Sequence, residues 1–178
     1  MRSIVLTAAV LTAVSLTACS GGPDSNEQAS SKLTPEESNT ATFCETYCEK
    51  FNACDSSSDV QTCSESCEET ISQTLDKVRT DVIGEIKACW NGSDCRQVLS
   101  GDRLAECVDE AAVSVAPTAA AKAFCGSLAE SLEKCDSGID RAQCIETTKV
   151  YSDETIAKAK KCTTKSCSMI MDCVNATL

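Results

Sequence analysis

Cysteine thiols offer the richest chemistry in this chain, and there are 15 of them among 178 residues. A thiol can form a disulfide, bind a metal as thiolate, act as a nucleophile or carry a lipid. Fourteen of the cysteines fall into two copies of one spacing pattern. The first copy contains Cys44, Cys54, Cys63, Cys89, Cys95 and Cys107, and the second contains Cys125, Cys135, Cys144, Cys162, Cys167 and Cys173.

The first intervals of the two copies agree residue for residue. Intervals of ten and then nine residues open both copies, which defines their alignment. The first copy also has an added pair, Cys48 and Cys67, whose aligned positions in the second copy hold Ala129 and Thr148. The spacing therefore predicts two tandem repeats of one cysteine-stapled unit.

The fifteenth cysteine, Cys19, follows a short basic start and an apolar run too short to span a bilayer. This pattern is typical of a secretory signal. The residues Leu16-Thr17-Ala18-Cys19 resemble the lipobox of bacterial lipoprotein precursors. The resemblance implies cleavage before Cys19 and acyl chains attached to it, and two or more acyl chains anchor a protein stably. Ser20 follows, which resembles an outer-membrane address and favours the outer over the inner membrane of a Gram-negative bacterium.

Export to an oxidising compartment would determine the chemical state of the other fourteen thiols. In an oxidising compartment an even number of cysteines indicates disulfides. The chain has no histidine and no Cys-x-x-Cys pair, so zinc-finger spacing is missing and metal binding by thiolates is the minor alternative. We expect disulfides, no metal site and no cofactor.

The unequal copies narrow the disulfide pairing. The two cysteines of a disulfide tend to disappear together, because the loss of only one leaves a free thiol. Cys48 and Cys67 both lack cysteine counterparts in the second copy, so we expect them to bond with each other. Two later intervals are shorter in the second copy, by eight and six residues. If the last helix runs antiparallel to the long one, the two shortenings nearly cancel, and the last cysteine of each copy stays level with the first. The predicted pairs are Cys44–Cys107, Cys48–Cys67, Cys54–Cys63, Cys89–Cys95, Cys125–Cys173, Cys135–Cys144 and Cys162–Cys167.

A rival pairing stays open in the first copy. Its two Cys-x3-Cys units resemble the twin Cys-x3-Cys hairpins of small mitochondrial import chaperones, over 24 residues. The resemblance implies the bonds Cys44–Cys67 and Cys48–Cys63. The second copy lacks half of the motif, and Cys54 lies inside the loop. We therefore interpret the match as the general chemistry of stapling two helices rather than as kinship.

Helices must position these cysteines. Between Cys63 and Cys89 apolar residues recur every three or four residues, which predicts one continuous apolar stripe on a long helix. No stretch alternates convincingly with period two. Each copy thus predicts a helix, a loop, a longer helix, a short turn and a last helix. The predicted fold is all-α, with two tandem disulfide-stapled three-helix repeats that form one small helical domain or two packed subdomains.

Local signals place some of the helix ends. The first helix of each copy is expected over residues 43 to about 53 and 124 to about 134. Asp59 or Ser58 is suited to cap the second helix of the first copy, and Asp140 with Gln143 forms a capping-box pattern at the aligned place. Ser152 begins a segment typical of a fresh helix start.

Composition divides the chain into four parts. The segment after the lipobox cysteine is polar, small and without apolar periodicity, which is typical of a flexible tether with a reach of about 25–30 Å. The predicted organisation is a lipoprotein signal peptide (1–18), a lipidated cysteine with a disordered tether (19–42), repeat 1 (43–115) and repeat 2 (120–178).

Charge and composition exclude several function classes. The formal net charge is −11 and no basic patch offsets it, so nucleic acid is not an expected partner. The absence of histidine removes the usual general base, and we expect no enzyme and no catalytic residue. The acidic loops 55–59 and 136–140 fit helix capping better than a calcium site.

Two functions remain. The first is a non-enzymatic interaction or structural module of the bacterial cell envelope, held at the membrane through acyl chains on Cys19 and facing an envelope protein. The alternative is a carrier of a small apolar ligand or lipid, in a cavity ringed by Leu75, Val78, Val82 and Leu104. Lipobox, acidic spacer and repeated cysteine-stapled helices together resemble cysteine-rich lipoproteins of predatory and social delta-type proteobacteria. That resemblance brings no functional residue with it.

Overall fold

The described part of the chain is mainly helical. The computed structural model describes the backbone of residues 35–178 and the side chains of residues 41–178. The predicted signal peptide, Cys19 and most of the predicted tether lie outside these residues. Residues 35–178 form nine α-helices, one 3₁₀ helix and no β-strand, which confirms the all-α prediction.

The two repeats contain similar series of helices. Repeat 1 contains α1 (Pro35–Cys54), α2 (Val60–Leu75), α3 (Thr80–Gly92), α4 (Cys95–Leu99) and α5 (Arg103–Ser114). Repeat 2 contains α6 (Ala119–Glu133), α7 (Arg141–Thr148), α8 (Asp153–Lys160), a 3₁₀ helix (Lys161–Thr164) and α9 (Ile170–Thr177). By length and composition, none of these helices alone could cross a membrane; α5 and α6 meet that requirement only as a pair, and they are bent by 85° to each other.

The first helix is longer than predicted. α1 begins at Pro35, eight residues before the predicted helix start at residue 43. Proline suits the first position of a helix because its fixed φ is helical and its missing N–H needs no partner there.

The long helix predicted in each repeat is broken, so repeat 1 has five α-helices, and repeat 2 has four α-helices and one 3₁₀ helix, where three helices each were expected. In repeat 1 the break separates Leu75, the end of α2, from Thr80, the start of α3. In repeat 2 it separates α7 from α8, and Ser152 caps α8 by accepting a hydrogen bond from the Thr155 backbone N–H at 3.2 Å. The predicted helix start at Ser152 is therefore confirmed. The apolar spacing continues across the break in repeat 1, so periodicity did not reveal it.

The length differences between the copies belong to two separate elements. α2 has 16 residues and α7 has 8, which accounts for the eight-residue difference. The six-residue difference lies where repeat 1 forms α4 and repeat 2 only turns before α9. The two shortenings therefore do not compensate each other along one pair of helices.

Both predicted aspartate caps are present. Asp59 caps α2 by accepting a hydrogen bond from the Thr62 backbone N–H at 2.8 Å. Asp140 caps α7 by accepting from Ala142 and Gln143, at 2.8 and 3.0 Å. Each side chain satisfies helix N–H groups that have no partner within the helix.

The buried apolar residues of the described chain form two clusters, one in each repeat. Repeat 1 buries Phe43, Cys44, Leu75, Val82, Ile83, Ile86, Cys107 and Ala111. Repeat 2 buries Phe124, Cys125, Leu128, Leu132, Cys144, Tyr151, Ile156, Ala159, Cys162, Ile170 and Val174. Val150 packs against both clusters. The apolar stripe predicted from the sequence therefore does form the core of repeat 1, although its helix is broken.

The repeats meet at their equivalent breaks. Val78 and Tyr151 each lie 11 residues before aligned cysteines, Cys89 and Cys162, and they form an isolated antiparallel β-bridge. The Arg79 N–H donates to the Val150 carbonyl at 3.0 Å, and the Ser152 N–H donates to the Lys77 carbonyl at 2.8 Å. Antiparallel pairing of equivalent segments relates the two repeats locally by an approximate two-fold axis.

Candidate functional site

All fourteen cysteines of the described chain are bonded. The seven disulfides are Cys44–Cys67, Cys48–Cys63, Cys54–Cys95, Cys89–Cys107, Cys125–Cys144, Cys135–Cys167 and Cys162–Cys173. Disulfide formation itself agrees with the prediction, and it leaves none of these sulfurs as a thiolate for metal binding or nucleophilic attack.

The predicted pairing, by contrast, is wrong. The pairs Cys44–Cys107, Cys48–Cys67, Cys54–Cys63, Cys89–Cys95, Cys125–Cys173, Cys135–Cys144 and Cys162–Cys167 are all replaced by other partners. The rival pairing of the first copy, Cys44–Cys67 with Cys48–Cys63, is the one present. The predicted lipidation site, Cys19, lies outside the described residues.

Helix geometry explains the two nested bonds of repeat 1. Cys44 and Cys48 lie four residues apart on α1, and Cys63 and Cys67 lie four residues apart on α2, so each pair shares one face of its helix. When two such helices run antiparallel, the two outer cysteines meet and the two inner cysteines meet. The Cα–Cα distances of 5.6 and 5.8 Å lie within the usual range for disulfides.

The position of Cys54 explains why it does not close the loop with Cys63. Cys54 lies six residues after Cys48, which at 3.6 residues per turn places it about 240° around α1. It therefore points away from α2. It bonds instead with Cys95 at the first position of α4, a helix that packs against α1.

The last helix of each repeat is bonded to a helix in the second half of the same repeat and not to the first helix. α5 packs against α3, and Cys107 bonds with Cys89 near the end of α3. In repeat 2 Cys173 bonds in the same way with Cys162, in the 3₁₀ helix that follows α8. The sequence argument assumed one unbroken long helix, and the break removes that assumption.

Two of the three disulfides of repeat 2 are equivalent to disulfides of repeat 1, and the third has no equivalent there. Cys135–Cys167 and Cys162–Cys173 are the equivalents of Cys54–Cys95 and Cys89–Cys107. The equivalents of Cys44 and Cys63, which are not partners in repeat 1, bond with each other as Cys125–Cys144. The hydroxyl of Thr148, at the position of Cys67, lies 3.4 Å from the Cys125 sulfur.

Arg79 fastens the junction between the repeats. Its Nη1 donates to the carbonyls of Ala116 and Lys149, each at 2.8 Å. Its Nε donates to Asp81 at 2.9 Å, and its Nη2 forms an ion pair with the same carboxylate. The guanidinium therefore uses all three nitrogens on groups of this chain. Its ion-pair partner is Asp81.

An open groove of about 320 Å³ lies beside this junction. Its apolar lining comes from repeat 1, through Leu75, Val78 and Ile83. Its carboxylates come from both repeats, and they are Asp76, Asp81 and Asp153. Because the groove lies between two repeats whose lining residues are far apart in the sequence, no spacing in the sequence could have identified it.

The groove is lined by only two of the four residues that were expected to ring a lipid-binding cavity. Of the four residues expected to ring it, Leu75 and Val78 line the groove, while Val82 is 2 % exposed within the core of repeat 1. A second concavity, in the core of repeat 2, measures about 10 Å³, which is about the space needed by one water molecule.

The acidic loops serve the helix ends. Hydrogen bonds from the side chain and backbone of Ser57 lower the pKa of Asp55, and the corresponding groups of Thr62 lower that of Asp59. Both carboxylates are thus ionised acceptors in turn and cap geometry. Among the described residues no three histidine, cysteine, aspartate or glutamate side chains are placed to share a metal ion.

An aromatic cluster lies between α1 and α3. The rings of Tyr47 and Trp90 stack with centroids 4.9 Å apart, and Trp90 Nε1 donates to the Tyr47 carbonyl at 3.3 Å. Burial raises the pKa of the Tyr47 hydroxyl, as it does for Tyr151 in repeat 2. These aromatics pack α1 against α3, so we assign them to the core of repeat 1.

Comparison with known proteins adds no further assignment. No protein-family model matches the chain, and neither a curated protein nor a solved structure is significantly similar to it. Any function must therefore be argued from the chemistry of the chain itself.

Proposed function

We propose that this protein is an exported lipoprotein whose disulfide-stapled helices form a non-enzymatic interaction or structural module of the bacterial cell envelope. The observation that carries the proposal is the bonding of all fourteen described cysteines, which is compatible with an exported protein. Such bonds persist in oxidising compartments and are rare in the cytosol.

The anchor is proposed from the sequence around Cys19. Leu16-Thr17-Ala18-Cys19 directly follows an apolar run, as a lipobox does, and two or more acyl chains on Cys19 give stable membrane attachment. Ser20 favours the outer membrane of a Gram-negative cell. The folded part then lies close to the membrane at the end of a spacer, where it meets other envelope proteins.

The module is supported by how rigidly the helices are held. Each repeat closes its own core with a filled interior, and disulfides tie the first helix, the last helix and the segments between them. A disulfide framework compensates for the limited core of a small exported domain. A rigid, acidic surface with a groove at the repeat junction is suited to binding a protein.

Metabolic labelling tests the anchor. In a Gram-negative host grown with an alkyne-tagged fatty acid, the wild-type chain should carry the label and sediment with outer membranes. Cys19→Ser should lose both the label and sedimentation with membranes, while the matched variant Ser20→Ala should keep both. An unlabelled wild-type protein, or a labelled Cys19→Ser variant, would refute the lipoprotein assignment.

Solvent extraction tests the module against the carrier. Protein carrying Cys19→Ser should yield no small molecule at a stoichiometric amount when it is purified under native conditions and analysed by mass spectrometry. A reproducible lipid at one mole per mole of protein would overturn the module and favour the carrier.

A further inference from the structure

We infer that the junction groove is a docking site for a basic segment of a partner protein, which presents arginine or lysine side chains to it. The inference deepens the proposed interaction module and rests on it. Three properties of the groove support this inference: the groove lies between the repeats, its floor is apolar and its negative charge is not fully compensated.

The charge of the groove is the first argument. Of its three carboxylates, Asp81 is neutralised by Arg79. Four of the five N–H groups of Arg79 bind Asp81 and the carbonyls of Ala116 and Lys149, and its guanidinium forms no ion pair with the other two carboxylates of the groove. Asp76 and Asp153 are exposed and form no ion pair within the described chain. The groove therefore presents two unpaired negative charges.

The floor of the groove is the second argument. Leu75 and Ile83 are buried core residues whose edges, together with Val78, form the apolar part of the lining. Arginine and lysine have apolar stems that lie along such a surface while their charged ends reach carboxylates at the rim. A guanidinium also forms paired, charge-assisted hydrogen bonds with a carboxylate.

The shape and setting of the groove favour a protein as the source of these cations. Its volume of about 320 Å³ lies at the lower end of the range for small-molecule sites, and it is open to the surface. A chain that passes across it can place successive side chains into it. The formal charge of −11 attracts a basic partner from a distance and raises the rate of encounter.

A peptide titration of the full oxidised chain, carrying Cys19→Ser to avoid detergent, tests the site. The probe is acetyl-Arg-Leu-Arg-amide, with acetyl-Glu-Leu-Glu-amide as the control peptide. In ¹⁵N–¹H spectra the arginine peptide should shift the amides of Val78, Thr80 and Ser152 most. Asp76→Asn with Asp153→Asn should weaken binding roughly 2- to 30-fold, since the two exposed pairs each contribute about 0.2–1 kcal/mol.

A second double variant separates the groove from general attraction to an acidic surface. Asp109→Asn with Glu130→Gln removes the same charge from exposed positions outside the groove, and it should change binding less than about twofold. Equal weakening by both double variants, or shifts scattered over the surface, would overturn the site. A simple diamine such as putrescine binding more tightly than the peptide would overturn the assignment to a protein partner.

The outcome for the groove is separable from the outcome for the proposed function. If a partner cross-links in intact cells equally well to the wild type and to Asp76→Asn with Asp153→Asn, the module stands and the groove is refuted as its docking site. If the peptide binds the groove but the unmodified chain carries no acyl label, the groove stands and the membrane-anchored function fails.

Discussion

At one aligned position of the two repeats, a cysteine and a threonine occupy the same place. Cys67 bonds with Cys44, whereas Thr148 places its hydroxyl 3.4 Å from Cys125 and donates it to the Cys144 carbonyl at 2.8 Å. Repeat 2 thus lacks one cysteine from each of two bonds, and its two remaining cysteines bond with each other. A joint absence preserves an even number of thiols without identifying partners, which is why the sequence argument failed here.

Two double variants test the pairing in repeat 1. Cys48→Ala with Cys63→Ala removes one whole disulfide, so it should leave no free thiol in a chain that also carries Cys19→Ser. The loss should cost about 2–4 kcal/mol of unfolding free energy because a short loop is released in the unfolded chain. Thiol titration in denaturant and peptide mapping without reduction provide the measurement.

The matched variant is Cys54→Ala with Cys63→Ala, which removes two cysteines from two different bonds. It should leave two free thiols, at Cys48 and Cys95. The opposite result, two free thiols in the first variant and none in the second, would restore the pair Cys54–Cys63 and contradict the structure.

At the level of the helices, the sequence predicted which helix faces are buried better than it predicted where the helices begin and end. The spacing of apolar residues correctly placed Leu75, Val82 and Ile86 in one core, because period alone decides which face is buried. It missed the break at residues 76–79, since those residues are held by contacts with the other repeat: the Arg79 N–H bonds the Val150 carbonyl. A tertiary contact of this kind leaves no local signal.

The Arg79 side chain provides a prediction at this level. Arg79→Ala removes the donors to the carbonyls of Ala116 and Lys149 and should weaken the junction by about 1–3 kcal/mol. The amides of residues 79 and 152 are bonded across the junction, so their hydrogen exchange should become roughly 5- to 100-fold faster. Amides in the middle of α6 should keep their wild-type exchange rates.

Arg96→Ala is the matched control for this variant. Arg96 is an exposed arginine on α4, remote from the junction segments, and its loss changes the net charge by the same amount. Wild-type exchange rates at residues 79 and 152 in Arg79→Ala would show that the backbone bridge alone holds the repeats together. That result would contradict the role given to the guanidinium.

At the level of the whole molecule, two cores are joined by a narrow contact, and the candidate site lies beside that contact. The repeat, the all-α fold and both aspartate caps could be predicted because each depends on residues close in sequence. The groove could not, because Asp76 and Asp153 meet only when the equivalent breaks of the two repeats pair with each other. Sites formed between repeats need the geometry of the assembled chain.

The order in which the disulfides are reduced should report this organisation. Five pairs contain a sulfur on a buried cysteine, whereas Cys54–Cys95 and Cys135–Cys167 each combine a half-buried cysteine with an exposed one. Exchange requires access to sulfur, so these two bonds should be reduced first by a limiting phosphine, on the order of tenfold faster than the others. Alkylation followed by peptide mass spectrometry gives the order, and prior unfolding in urea should abolish it. Early alkylation of Cys107 or Cys125 in native protein would contradict the closed cores of both repeats.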